Sequence, residues 1–138
     1  MLEWRIGNNL DESELRKVSD GVLKHGRALA VAGNATPIAC LVYKDGSVIA
    51  GGTGRTEFNR LYVQYLWVDE QHRAQGIGTE ILKRLEALGS SRGCTDALIE
   101  TLNDQAFQLY LRLNYVPIST LPNYVGHFTR HTLLKSLP

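Results

Sequence analysis

The run Arg73-Ala74-Gln75-Gly76-Ile77-Gly78 puts two glycines where an apolar strand, Leu61 to Val68, turns into an amphipathic helix, Thr79 to Leu88. The first turn of a helix leaves backbone N–H groups without partners, with the positive end of the helix dipole behind them. Such a junction can hold a diphosphate. A side chain at Gly76 or Gly78 would keep phosphate oxygens off the amides, and glycine also accepts backbone angles that other residues resist. The same glycines could serve only a tight strand-to-helix turn. A dinucleotide fingerprint would need a third glycine where Ile81 stands, and a P-loop would need Gly-Lys-Ser/Thr; the sequence has neither.

The flanks add specificity. Leu66-Trp67-Val68, then Arg73-x-x-Gly76-Ile77-Gly78, then Leu82 and Leu85 on one helical face resemble the coenzyme A signature of the GNAT N-acetyltransferase superfamily. Downstream, Asn103-x-x-Ala106-x-x-x-Tyr110-x-x-x-Asn114-Tyr115 is similar to that family's Asn-x-x-Ala-x-x-x-Tyr-x-x-x-Gly-Phe segment. The two segments stand in the family's order, and the resemblance covers the chain from near Val48 to Leu134. Asn114 replaces the family's glycine and Tyr115 its phenylalanine; asparagine tolerates the left-handed conformation that ends a helix, and tyrosine keeps the aromatic surface. Tyr124-x-Gly126-His127 resembles a Tyr-x-x-Gly-His tail of small bacterial members, with a spacing one residue shorter.

The resemblance implies an α/β (α+β) fold with a mixed, mostly antiparallel sheet, splayed between the strands ending at Val68 and Thr101. Acetyl-CoA would lie in the gap and leave as CoA. Its pantetheine amides would pair with the backbone of Leu66 and Val68, beside Trp67. Its diphosphate would rest on N–H groups from Gln75 to Thr79, after Ala74. Arg73 would either add a charge-assisted contact or remain a solvated surface charge. Asn103 would reach the cofactor or cap the helix that follows it.

The reaction implied is acetyl transfer to a primary amine of a small molecule, by direct attack in a ternary complex. A protein or peptide acceptor is the alternative. The Val68 N–H would polarise the carbonyl, and Tyr110 would protonate the departing thiolate; a phenol with an ordinary pKa of about 10 is protonated at neutral pH. Tyr110 also reads as core packing beside Phe107 and Leu111. Glu57, Glu100, Gln64 and the loop histidine His127 are candidates for the acceptor side, and the general base is not assigned. Two other classes stay open: a catalytically silent acyl-CoA-binding module, which would not need Tyr110, and a protein that binds another diphosphate nucleotide at the same helix.

Composition sets outer bounds. The 138 residues suit one domain, expected to span 1–138, and fifteen basic against fourteen acidic residues leave the chain almost neutral. A nucleic-acid or membrane surface would need concentrated positive charge, so neither partner is expected. No window has the apolar length of a membrane span, and Met1-Leu2-Glu3-Trp4-Arg5 lacks the order of a signal peptide, which makes a cytoplasmic protein the expectation. Cys40 and Cys94 lie in or beside apolar strands as reduced core thiols, and the scattered histidines offer no metal set. A homodimer is an expectation of the family, for which Phe128 to Leu134 would offer a pairing edge.

The elements that must position these groups follow from periodicity. Leu2 to Ile6 reads as a short strand, and Asp11 or Ser13 caps a helix with Leu15, Val18, Val22 and Leu23 at helical spacing. Ile38 to Tyr43 and Ser47 to Ala50 form a hairpin around Lys44-Asp45-Gly46. Gly51-Gly52-Thr53-Gly54 lies within a strand that continues through Thr56 and Phe58, so a bulge or close backbone approach is expected there rather than a phosphate loop. The helix after Gly76 should end near Gly89. A strand from Thr95 to Thr101 and a helix from Asp104 to Leu113 follow. Two strands, Tyr115 to Thr120 and Phe128 to Leu134, are joined by a loop from Leu121 to His127. The sum is about seven strands in mixed order.

Overall fold

The computed structural model describes residues 1–29 and 35–138. Its contacts fall into two units, Met1–Gly33 and Asn34–Pro138. The first unit holds helix α1, Glu12–Leu29. Asp11 caps it, its carboxylate accepting from the Ser13 backbone N–H at 2.9 Å and from the Ser13 hydroxyl at 2.8 Å. The strand expected over Leu2 to Ile6 does not form. A strand alone leaves its backbone groups unpaired, and no second strand stands among the described residues of this unit.

The second unit is a six-stranded sheet rather than one of seven, carrying two helices. Its strands are β1 (Thr36–Lys44), β2 (Ser47–Glu57), β3 (Arg60–Val68), β4 (Asp96–Thr101), β5 (Val116–Val125) and β6 (Phe128–Ser136). They lie in the order β1-β2-β3-β4-β6-β5, and only β3 and β4 run parallel. That parallel step needs a crossover, supplied by helix α2, Ile77–Ser91. Helix α3, Asp104–Arg112, links β4 to β5.

The Asp45-Gly46 turn closes the first hairpin with both residues at positive φ, as the dipeptide predicts. The second hairpin turns earlier than expected: Phe58 (φ 52°) and Asn59 (φ 62°) make the turn, so β2 stops at Glu57. A bulky residue seldom takes positive φ, and Asn59, which tolerates it, shares the load. The loop expected from Leu121 to His127 is instead mostly strand, because β5 runs on to Val125. It is the outer strand, so Pro117 and Pro122 cost no ladder hydrogen bond on its free side. For the same reason the pairing edge expected at Phe128 to Leu134 is not free; β6 lies between β4 and β5.

The core forms where α2 lies on the sheet. Ile81, Leu82, Leu85 and Gly89 are its buried positions, set against Ala50, Leu61, Val63, Ala97 and Ile99. A Cβ on Gly52 would stand 2.8 Å from both Ile81 and Leu85, so the glycine lets the helix settle onto the strand. Arg92 ties off the helix end, donating to the Pro37 carbonyl at 3.0 Å and the buried Thr56 hydroxyl at 3.2 Å. Tyr115 is buried with its hydroxyl donating to Glu86 at 2.9 Å, and Lys135 donates to the other Glu86 oxygen at 2.7 Å. Asn114 takes the left-handed conformation expected of it, at φ 72°.

One irregularity organises the sheet. The register steps from Thr53↔Tyr65 to Gly54↔Val63, so Gln64 is an extra residue in β3. It is a β-bulge. The bulge turns Leu61, Val63, Leu66 and Val68 all toward the helical face, where strict alternation would have split them between faces. Gly54 makes it sterically possible: a Cβ there would lie 1.8 Å from the Tyr62 carbonyl oxygen. The bulge expected from the glycine-rich run is therefore real, and its extra residue sits on the neighbouring strand. Replacing Gly54 by alanine forces backbone apart; an unfolding free energy lower by about 3 kcal/mol or more, measured by urea denaturation, is the expected result.

Candidate active site

Strands β3 and β4 pair only from Arg60↔Asp96 to Val63↔Ile99. Arg60 locks the paired end, its Nε and Nη2 donating to the two Asp96 oxygens at 2.7 and 3.0 Å. Past the bulge the strands part. Tyr65 to Val68 stays with β2, whereas Glu100 and Thr101 stay with β6. The sheet opens between Val68 and Thr101, where the family resemblance implied a splay.

In the open stretch one edge of β3 has no strand beside it. Asp69 donates its N–H to the Ile49 carbonyl at 2.8 Å, toward β2. Successive amides point to opposite edges of a strand, so the N–H groups of Val68 and Leu66 point into the gap. A cavity of about 530 Å³ fills it, lined by Leu66, Trp67 and Val68 on one wall and by Asn103 and Tyr110 on the other.

The N-terminus of α2 closes one end. Ala74 (φ 60°) and Gly76 (φ 78°) are both left-handed, and no side chain caps the helix. Alternating conformations of this kind gather N–H groups into an anion-binding nest. Gly78 tells more. A Cβ there would meet only Val68 Cγ2, at 3.8 Å, which is ordinary contact, and its φ is not positive. Neither crowding nor backbone angle within the protein calls for glycine at 78; a ligand pressed against the helix would. His72, Arg73 and Arg112 also line the cavity, and no carboxylate does among the described residues. The nest, the basic rim and the narrow gap fit the diphosphate and extended arm of acetyl-CoA.

Arg73 is neither a free surface charge nor aimed wholly outward, since its Nε donates to the Val68 carbonyl at 3.0 Å. It braces the strand end against the loop. Asn103 caps α3: its side-chain oxygen accepts from the N–H groups of Gln105 and Ala106 at 2.8 and 3.0 Å. Only its amide nitrogen is left for a ligand. Tyr110 is 5% exposed with its ring 5.9 Å from that of Tyr115, and it borders the cavity. Burial pushes its hydroxyl up to about 12. Burial likewise raises the Cys94 thiol, which marks a core residue rather than a nucleophile.

A second cavity, of about 280 Å³, opens at the root of the same gap, lined by Arg55, Tyr62, Val63, Gln64, Leu98, Ile99 and Glu100. Tyr62, Leu98 and Glu100 alternate with the core residues Leu61, Ala97 and Ile99, so this cavity is on the sheet face away from α2. Of the acceptor-side candidates it contains Gln64 and Glu100. Glu57 stands beside it, holding Arg55 at 3.0 Å. His127 is elsewhere, in the β5–β6 turn with its ring stacked 4.5 Å from Phe128. Of the cofactor-side candidates, Gln75 alone is outside the lining of the first cavity. Sequence reasoning missed His72, Gln105, Leu109 and Arg112. Leu109 and Arg112 flank Tyr110 on α3, so the helical period could have found them; His72 carried no signal.

A splayed mixed sheet with an uncapped helix N-terminus at the gap defines a coenzyme A-dependent acyltransferase fold. A family model for the acetyltransferase (GNAT) family matches residues 8–115. The chain is 33% identical over 93 residues to blasticidin-S acetyltransferase of Streptomyces morookaense, covering 67% of this chain and 68% of the relative. It is 40% identical over 77 residues to an acetyltransferase of Agrobacterium fabrum, 56% of each chain. The crystal structure of an acetyltransferase from Bacillus cereus shares the fold, with a TM-score of 0.88 at 23% identity over 96% of this chain and 98% of that one. The protein belongs to the GNAT family and is an acetyl-CoA-dependent N-acetyltransferase.

Two expected outcomes follow from this geometry. Gly78→Ala leaves the ligand-free protein as stable or up to about 1 kcal/mol more stable, alanine being the better helix former. Yet it shrinks the stabilisation by acetyl-CoA, which for the native protein is about 2.7 kcal/mol at a hundred times Kd. Calorimetry with and without acetyl-CoA reads both, and an undiminished coenzyme effect would assign the glycine to the turn. For Tyr110, the folded value lies above the unfolded value of about 10, so its contribution to stability is complete below about pH 10 and is lost as pH rises through about 12. Comparing the pH dependence of unfolding in the native protein and Tyr110→Phe isolates that loss.

Proposed function

We propose that the acceptor is a primary amine of a small molecule, which enters from the second cavity and is acetylated by direct attack. The observation that carries this reading is that the two cavities follow one another along β3: the second holds Val63, Ile99 and Gln64, where β3–β4 pairing ends, and the first takes up Leu66 to Val68 just beyond. When bound, acetyl-CoA supplies the acetyl group as a thioester whose C–S bond breaks as the amine N–C bond forms. Leu66 and Val68 hold the arm by their free backbone edge, with the Val68 N–H as donor to the developing oxyanion. Loss of such a donor costs on the order of a hundredfold in rate.

Tyr110 supplies the proton that the leaving sulfur needs and is reprotonated by the one the attacking nitrogen loses as the amide forms. A hydroxyl held protonated to about pH 12 is available as an acid at every physiological pH. The ammonium proton released from the acceptor passes to water in the second cavity, beside Gln64 and Glu100. Glu57 orients Arg55 rather than meeting the acceptor, and His127 has no part in this reading.

The relative named for blasticidin-S supports a small-molecule acceptor. The match of the family across residues 8–115 supports reading both units as one domain. Two free cysteines fit a reducing cytoplasm, and no helix among the described residues is long and apolar enough to cross a membrane. A homodimer would pair through an outer strand of the sheet, β1 or β5.

Tyr110→Phe is the test. Turnover of an amine panel, followed by thiol release, should fall by a factor of about 100 or more while coenzyme binding by calorimetry stays within a few-fold. Undiminished turnover removes Tyr110 as the acid. Coenzyme binding without acetylation of any small amine, but with acetylation of a peptide, would make the acceptor a polypeptide.

A further inference from the structure

The second cavity carries one fixed cation and one fixed anion, on strands two apart. Arg55 comes from β2 and Glu100 from β4, with Tyr62 and Gln64 of β3 between them. The Arg55 guanidinium lies 4.1 Å from the centre of the Tyr62 ring, and its Nε donates to Glu57 at 3.0 Å. Both contacts hold the plane in place. Neither terminal nitrogen has a protein partner among the described residues, which leaves the fork that recognises a carboxylate open and already oriented.

Glu100 is fixed as well. Arg130 donates to one of its oxygens and the Thr132 hydroxyl stands 3.4 Å from the other. Arg130 in turn lies over the Tyr124 ring at 5.0 Å. Each carboxylate oxygen accepts more than one hydrogen bond, so Glu100 keeps capacity for an ammonium group. Glu100 and Gln64 each stand one residue beyond the last β3–β4 pair, at the gap, whereas Arg55 is paired with Tyr62, one residue before it. The cavity therefore has a cation-binding end at the reacting gap and an anion-binding end away from it.

Resting on the small-molecule reading above, the geometry points to an acceptor that is an amino-carboxylate. Its ammonium group docks between Gln64 and Glu100, and its carboxylate meets the Arg55 fork. Adjacent strands are about 4.8 Å apart, so the backbones bearing the two charged groups are on the order of 10 Å apart across the sheet. Arg55 and Glu100 reach inward from both sides and leave a span of a few bonds between the acceptor's own charges. Tyr62 and Leu98 give the floor an apolar surface for the carbon chain. At about 280 Å³ the cavity is at the small end for ligand sites, a size for a single amino acid rather than a large antibiotic.

The experiment compares acceptors in matched pairs, each amino acid with the amine left by removing its carboxylate: tyrosine and tyramine, leucine and isoamylamine, 4-aminobutyrate and propylamine. Acetylation is followed by thiol release, and binding of each acceptor to the protein in the presence of CoA by calorimetry. The expected result is a kcat/KM at least about tenfold higher for the carboxylated member of the best pair, expressed in KM and matched by tighter binding. In Arg55→Gln that ratio falls toward one. Arg55→Lys keeps the charge without the fork and recovers only part of it. A thermal shift with acetyl-CoA equal to that of the native protein shows that the variants are folded.

Equal rates within every pair, or an Arg55→Gln loss that is the same for both members, would overturn the amino-carboxylate while leaving small-amine acetylation intact. Coenzyme binding with no turnover of either member would remove the small-molecule acceptor itself, and this inference with it.

Discussion

A single extra residue, Gln64, facing a position where only glycine fits, is the constraint on which the site depends. The Cβ that Gly54 lacks would sit inside the Tyr62 carbonyl. Because that space is free, β3 can bulge without leaving β2. It then shifts its side-chain parity and draws away from β4 immediately after Val63↔Ile99. Both cavities and the free edge of Leu66 and Val68 are consequences of that departure. A regular β3 would have continued its ladder with β4, and the amides offered to a ligand would have been consumed by the sheet.

The opening is costly unless the rest of the sheet resists it. The Arg60–Asp96 pair clamps the closed end, and α2 spans the bulged strand, burying Ile81, Leu82 and Leu85 on residues from both sides of the irregularity. On the far side β6 pairs with β4 along its whole length, from Asp96↔Ser136 to Thr101↔His131, so β4 cannot follow β3. The gap is held by two well-packed halves. That suits a site whose catalytic contribution comes from fixed dipoles, since such groups act by being oriented before the reaction begins.

The two faces of the gap differ in chemistry as their roles require. The helical face joins a basic rim and bare amides to a buried phenol that keeps its proton. The opposite face places paired charges around an apolar floor. The helical face thereby suits an anionic ligand, and the opposite face one that carries charge of both signs.

The cofactor half of this protein is the half most legible in the sequence. Gly76, Gly78, Asn103 and Tyr110 stand along two short helix-bearing segments; local rules of helix starts and caps read a diphosphate site or a tight turn, and the family resemblance supplied coenzyme A and the parts given to Asn103 and Tyr110. Asn103 shows how far local reading goes: cap and ligand contact were both legible, and the structure assigns its oxygen to the cap. Residues whose partners are distant in the chain were another matter. No local pattern marks Gln64 as a bulge, joins Arg55 of β2 to Glu100 of β4, or distinguishes Glu57, which braces Arg55, from Glu100, which faces the gap. Nor could it say that β6 would lie inside the sheet and β5 at its edge, or that Leu2 to Ile6 would not form a strand. Strand order and register decide which side chains share a cavity, and both are set by packing between segments tens of residues apart. The tertiary structure alone decided which of the acceptor-side candidates share a cavity for that reason.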